Sequence, residues 1–259
     1  MVDLICSLIL SGFVILVAST WSLFALLPAR AGNQRLEGHG GVMLGRGIME
    51  VAYKLFNPLV NLLYGARVTP NMVTAFSLAP AAASAILIAL GHFGAGALLA
   101  TGSGFCDMFD GMLARRYNSM SDVGELFDAA VDRYVEYLLL AGLAVYFRNM
   151  PLADVICLGA ILGAFMVSYA TAKAEALGVA PPKGAMRRAE RAVYVIFGCG
   201  LAPLWQLLVP SSPRFATLSL GREAPVELAM LVVAVVANVS AIRRMLRIAE
   251  LVRIKKLAA

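Results

Sequence analysis

Seven stretches of mostly apolar residues follow one another along the chain, each close to the roughly 20 residues needed to cross a bilayer. They cover 4–27, 70–90, 95–113, 126–146, 152–172, 192–209 and 225–242, and they predict seven membrane-spanning helices. Between the first two, Arg46, Glu50 and Lys54 recur every fourth residue while Ile48, Val51, Leu55 and Leu59 supply an apolar side. That spacing predicts an interfacial amphipathic helix bent near Pro58. The expected organisation is an N-terminal transmembrane helix in 1–29, a cytoplasmic linker and juxtamembrane amphipathic helix in 30–69, a six-helix membrane domain in 70–242 and a basic cytoplasmic tail in 243–259. The first span lacks a basic start and a convincing cleavage site, so it reads as a retained signal-anchor.

Composition agrees with an all-α integral membrane protein. Of 259 residues, 60% are hydrophobic and 15% charged, and the mean hydropathy is +0.79, which excludes a soluble enzyme. A chain this apolar has ample surface to bury and is not disordered. The four cysteines stand singly inside apolar runs and read as packing residues, while His39 and His92 are too few for a metal cluster. If the N-terminus faces outward, eighteen of the 22 Lys and Arg fall on the inner side and three on the outer. The positive-inside rule then makes this a multi-pass protein whose even-numbered connections face the outside. Nucleic acid is not an expected partner; membrane lipids are.

The third and fourth spans carry Asp107, Asp110, Glu125, Asp128, Asp132 and Glu136 near the inner boundary. Each uncompensated charge at mid-helix costs about 2.5–3.5 kcal/mol, less near the interface, so something must offset the group. At 3.6 residues per turn, Asp107, Asp110, Gly111 and Ala114 share one helix face, and Gly124, Asp128 and Asp132 share a stripe on the next. Facing carboxylates repel unless a cation lies between them. The donors are all oxygen, so the fitting ion is Mg²⁺, or alternatively Mn²⁺, as a pair of ions. Small Gly111, Ala114 and Gly124 allow a ligand close to the backbone, and Arg115 adds a positive fork suited to phosphate. Together these describe a pyrophosphate site.

Written out, residues 107–132 read D-x2-D-G-x2-A-R-x8-G-x3-D-x3-D, which resembles the signature of the CDP-alcohol phosphotransferase family at every fixed position. The resemblance implies a six-helix membrane enzyme, here with one extra N-terminal helix, that displaces CMP from a CDP-linked lipid using a second alcohol. By the same resemblance Asp107, Asp110 and Asp128 bind one metal ion and Asp107, Asp128 and Asp132 a second, with Asp132 also the general base. Asn71 and Thr74, in the T-P-N-M-V-T run, look like the entrance to the nucleotide pocket, and Gly111, Ala114, Arg115, Ser121 and Gly124 are grouped with them around the CDP-lipid. A plain helix start, with Thr69 as N-cap and Pro70 at the first helical position, is compatible with that role.

The stretch from Ser168, S-Y-A-T-A-K-A-E-A-L-G, and the run G-A-M-R-R-A-E-R from Gly184 bring further cations to the same membrane face. They are similar to the phosphatidylinositol-phosphate synthase branch of the family. The similarity implies that Lys173, Arg188, Arg191 and one of Arg243 or Arg244 hold the phosphate of a phosphorylated polyol, foremost inositol phosphate. The other substrate would be CDP-diacylglycerol, the active site would be cytoplasmic, and a homodimer is expected by analogy. Alternatives are a phosphatidylglycerophosphate synthase using glycerol 3-phosphate and, in a different class, a divalent cation transporter. The transporter would need a polar path across the whole bilayer, and the outer halves of these spans offer almost no polar lining.

Overall fold

The computed structural model describes residues 1–12, 46–119, 121–209 and 221–258, all as helices and short connections. Helix α1 is described over Val2–Gly12, followed by α2 (Arg46–Gly65), α3 (Pro70–Phe76), α4 (Leu78–Ala89) and α5 (Phe93–Tyr117). Then come α6 (Asp122–Phe147), α7 (Pro151–Ala176), α8 (Arg188–Leu208) and α9 (Ala224–Ala258). Among the described residues four helical paths, Pro70–Ala89, α7, α8 and α9, are both long and apolar enough to cross a membrane. Helices α5 and α6 have the length, 25 and 26 residues, but carry the acidic residues.

Several expected boundaries move. The span expected over 4–27 begins at Val2, and its part beyond Gly12 lies outside the described residues, as does the linker up to residue 45. The path through 70–90 breaks at Ser77 because Pro80 has no N–H for the Phe76 carbonyl and its ring crowds that group. Helices α5, α6 and α8 run beyond their apolar windows, to Tyr117 and from Asp122 and Arg188. The last helix continues about four turns past 242, so the basic residues at its end are helical.

The amphipathic segment is helical across Pro58, and a second face of it docks on the bundle. Phe56 packs on Phe105 and Phe109, and buried Val60 joins a cluster with Val73, Met112 and Leu113. Leu55 and Leu59, on the apolar side expected of an interfacial helix, are exposed together with Leu62, the side such a helix would turn to lipid. Ile48 and Val51 lie where only the backbone is described.

The main core gathers Ile88, Phe93, Leu143, Phe147, Cys157, Cys199 and Met230 from α4 to α9. Three of the four cysteines are buried, and all four are free thiols. Without a hydrophobic drive between helices inside lipid, close approach supplies the cohesion, and small residues make it possible. Helix α7 lies along α9, with Gly163 close against Ala237 and Asn238, Val167 in a cluster with Ala237 and Ala241, and Ala170 and Ala174 in another with Ile248. Helix α4 packs against both α5 and α6, and α8 packs against α5 and α9.

Helix α1 docks on this core at its far end from the aspartates. The N-cap position of α5, His92, makes no side-chain cap, and the Asp3 carboxylate instead accepts from the Ala95 N–H at 2.9 Å. Buried Ser7 donates to the Gly200 carbonyl, and Leu10 enters the main core.

At Gly142 a Cβ would stand 2.6 Å from the Ala85 carbonyl oxygen and 2.9 Å from its Cα, backbone atoms that cannot rotate away. At Gly159 the nearest atom would be the Ala234 Cβ at 3.5 Å, an ordinary contact. Gly142→Ala should therefore destabilise the bundle by about 1–3 kcal/mol, read as a lowered thermal midpoint in detergent, while Gly159→Ala should leave the midpoint within about 2 °C.

Candidate active site

The aspartates stand on the first turns of α6 and the last turns of α5, and local sequence sets both ends. Ser121 caps α6 by accepting from the Gly124 N–H at 3.1 Å, and α5 ends at Asn118 in the left-handed conformation, where Asn is tolerated. One carboxylate oxygen each from Asp107, Asp110 and Asp128 lie within 4.8 Å of one another. Three like charges that close need a counter-cation.

Burial sharpens the need. Asp128 Oδ1 is buried with no hydrogen-bond partner among the described residues, and such an orphaned acceptor is rare in a folded protein. Asp110, itself buried, accepts from the Thr74 hydroxyl at 2.6 Å through Oδ2. That bond orients the carboxylate from the first turns of the α3 path. An all-oxygen cluster with one unpartnered oxygen fits a divalent cation such as Mg²⁺ or Mn²⁺, and not zinc.

Asp132, one turn further along α6, is not one of these three but shares a partner with Asp107. Its Oδ1 lies 2.7 Å from Arg188 Nη1, and the same nitrogen lies 3.1 Å from Asp107 Oδ1. Arg188 thus bridges α5 and α6 from the start of α8. It touches two of the expected metal-binding carboxylates at once.

The other expected residues divide into two groups. Asn71 Oδ1 stands 3.8 Å from the point where a Cβ on Gly124 would lie, so the entrance of α3 meets the entrance of α6. Arg115 folds back over Gly111, with Nη2 3.6 Å from the corresponding point there. Gly111, Ala114 and Arg115 therefore share the end of α5 with the aspartates, and Ser121 and Gly124 lie at the matching end of α6.

The remaining cations behave differently from Arg188. Arg191 is buried and gives Nε and Nη2 to the two oxygens of Glu136, at 2.5 and 2.9 Å, and Nη1 to the Met186 carbonyl. Buried Arg244 donates to the Gly184 and Ala185 carbonyls at 3.0 and 3.2 Å and approaches the Thr171 hydroxyl at 3.4 Å. Both guanidinium groups are engaged by the protein and shape the connection between α7 and α8. Lys173 and Arg243 are exposed.

Two features escaped the sequence. Thr74 meets a carboxylate, and Glu136 pairs with Arg191 across 55 residues of chain. The available signal was spacing: Glu136 follows Asp132 by one turn, as Arg191 follows Arg188.

Residues 67–240 match the family model described as CDP-alcohol phosphatidyltransferase. The chain belongs to that family. The phosphatidylinositol phosphate synthase of Mycolicibacterium smegmatis is 32% identical over 155 residues, covering 58% of this chain and 70% of the relative. A crystal structure of the Mycobacterium tuberculosis phosphatidylinositol phosphate synthase with CDP-DAG bound superposes with a TM-score of 0.65 at 22% identity, over 75% of this chain and 94% of that one. Another, in complex with manganese and citrate, gives 0.64 at 23%, over 74% and 87%. The likeness places the transferase in the same fold. It is an integral membrane enzyme that transfers phosphate-containing groups.

Because Thr74 holds Asp110, Thr74→Val should weaken Mn²⁺ binding to the transferase by about 10- to 100-fold, measured by the free Mn²⁺ signal in electron paramagnetic resonance. Thr74→Ser should stay near the wild-type affinity. An unchanged affinity in the valine variant would leave Thr74 with no part in holding the cation.

Proposed function

We propose that this transferase moves the phosphatidyl group of CDP-diacylglycerol to the hydroxyl of inositol phosphate, with release of CMP. The observation that carries the reading is the pairing of a cation-seeking carboxylate cluster, Asp107, Asp110 and Asp128, with an arginine poised at its edge. The relatives named phosphatidylinositol phosphate synthase support the choice of acceptor.

In this reading Asp107, Asp110 and Asp128 hold a divalent ion, with Asp132 joining Asp107 and Asp128 around a second. The ions supply neutralisation of the diphosphate oxygens, the main demand of phosphoryl-type transfer. Asn71, Gly111, Ala114, Arg115, Ser121 and Gly124 line the approach of the CDP moiety, where small side chains leave room against the backbone.

Asp132 receives the proton of the incoming hydroxyl. The hydroxyl oxygen forms a bond to the lipid-linked phosphorus, the bond from that phosphorus to the CMP oxygen breaks, and CMP leaves with the electron pair. Among the described residues both contacts of Arg188 to the carboxylates are made by Nη1, which leaves its Nε and Nη2 edge to receive the phosphate already on the acceptor. Lys173 and Arg243 add positive potential at the approach. The charge asymmetry of the sequence supports a cytoplasmic active site, and the family resemblance supports a homodimer.

With purified protein, CDP-diacylglycerol and Mg²⁺, CMP release should be at least about tenfold faster with inositol phosphate than with glycerol 3-phosphate, inositol or serine, a difference of about 1.4 kcal/mol in the barrier. Equal or greater turnover of glycerol 3-phosphate would reassign the acceptor. Asp132→Asn should cut turnover by about 10²- to 10⁴-fold while leaving CDP-diacylglycerol binding in place.

A further inference from the structure

Glu136 lies one turn beyond Asp132 on α6, and Arg191 lies one turn beyond Arg188 on α8. The two helices therefore meet through two charged rungs, Arg188 with Asp132 and Arg191 with Glu136. The rungs are unequal. The side chains of the first are 21% and 16% exposed, a pair that water can reach; those of the second are 3% and 10% exposed.

The second rung is also bidentate, the geometry that fixes a guanidinium in plane and in register. Its surroundings leave little slack. Arg133 reaches both Glu136 Oε2, at 3.3 Å, and the Ser168 hydroxyl of α7, which ties the carboxylate to a third helix. The third guanidinium nitrogen of Arg191 holds the carbonyl of Met186, a buried residue in the left-handed conformation with φ of 60°. Just after it, Glu190 accepts from the Arg187 N–H at 3.2 Å and completes the helix start. The first turn of α8, where Arg188 sits, is thus fixed from below by Glu136.

We infer that Glu136 is a positioning residue for acceptor recognition: by gripping Arg191 it sets the first turn of α8 so that Arg188 stands between Asp107 and Asp132. This rests on the role given to Arg188 above. Glu136 touches neither substrate, and its effect passes through Arg188. Arg191, fully engaged by the protein, serves the same positioning end.

A double-mutant cycle on the full-length enzyme tests the inference, with Glu136→Gln, Arg188→Gln and the pair together, using CDP-diacylglycerol and inositol phosphate as the varied substrates. Each single change should raise the KM for inositol phosphate about tenfold, and the double change about tenfold also, not a hundredfold, because both act on one interaction. The KM for CDP-diacylglycerol should stay within about threefold in all three, an outcome that general loosening of the fold would not give. If Glu136→Gln does not accumulate as folded protein, Glu136→Asp, which keeps the charge but is too short to hold both nitrogens, enters the same cycle.

A hundredfold rise in the double variant, or equal rises for both substrates in Glu136→Gln, would overturn the positioning role while leaving Arg188 at the acceptor. No change in Arg188→Gln would instead remove the acceptor role of Arg188, and the inference with it. Should the wild-type enzyme prefer glycerol 3-phosphate, the same cycle run with that acceptor tests Glu136 independently of the choice of polyol.

Discussion

The constraint behind this molecule is mutual repulsion among carboxylates placed where water is scarce. Asp107, Asp110 and Asp128 come within 4.8 Å of each other, and an oxygen of Asp128 is buried with no hydrogen-bond partner among the described residues. Left alone, such a group would push the ends of α5 and α6 apart. The surrounding structure answers in layers: a hydroxyl from α3 steadies Asp110, a guanidinium from α8 reaches Asp107 and Asp132, and an all-oxygen set remains to receive a divalent cation. The polar layer sits at one end of the bundle, and the opposite end is packed by Phe93, Phe147 and Met230.

That division explains why small residues are spent where they are. A polar cluster needs its supporting helices held to fractions of an ångström, and lipid offers helices no incentive to associate beyond contact itself. Gly142 against Ala85, and Gly163 against Ala237 and Asn238, bring backbones close enough for dispersion contacts to hold the frame. The N-terminal helix adds to that frame at the far end, where Asp3 satisfies an N–H that α5 cannot satisfy for itself.

The existence of most helices was legible in the sequence because the bilayer imposes a length and an apolar composition on each crossing. Their ends were not, since an apolar window measures immersion in lipid and helix continuity obeys other rules. Arg188, Asp122 and the run after Ile242 are polar yet helical. The docking side of α2 was also hidden. Leu55, Leu59 and Leu62 form one stripe and Phe56, Val60 and Leu63 another, and no hydropathy scale distinguishes protein from lipid as the neighbour. The aspartates announced themselves because four such residues in apolar surroundings demand a reason. The partners of the basic residues were illegible, because a pair such as Arg191 with Glu136 joins helices far apart in the chain and depends on the finished packing.

Helix α9 carries one more implication. Its 35 residues make a rod of about 52 Å, against a hydrocarbon core of about 30 Å, so more than a third of it stands clear of the oily layer. Near its end Lys255 donates to the Leu177 and Gly178 carbonyls at the close of α7. The rod is thereby a stiff upright lashed to the turn that leads into α8. A change in bilayer thickness is then met by tilting of this rod or by deformation of the lipid around it, since the rod itself does not change length.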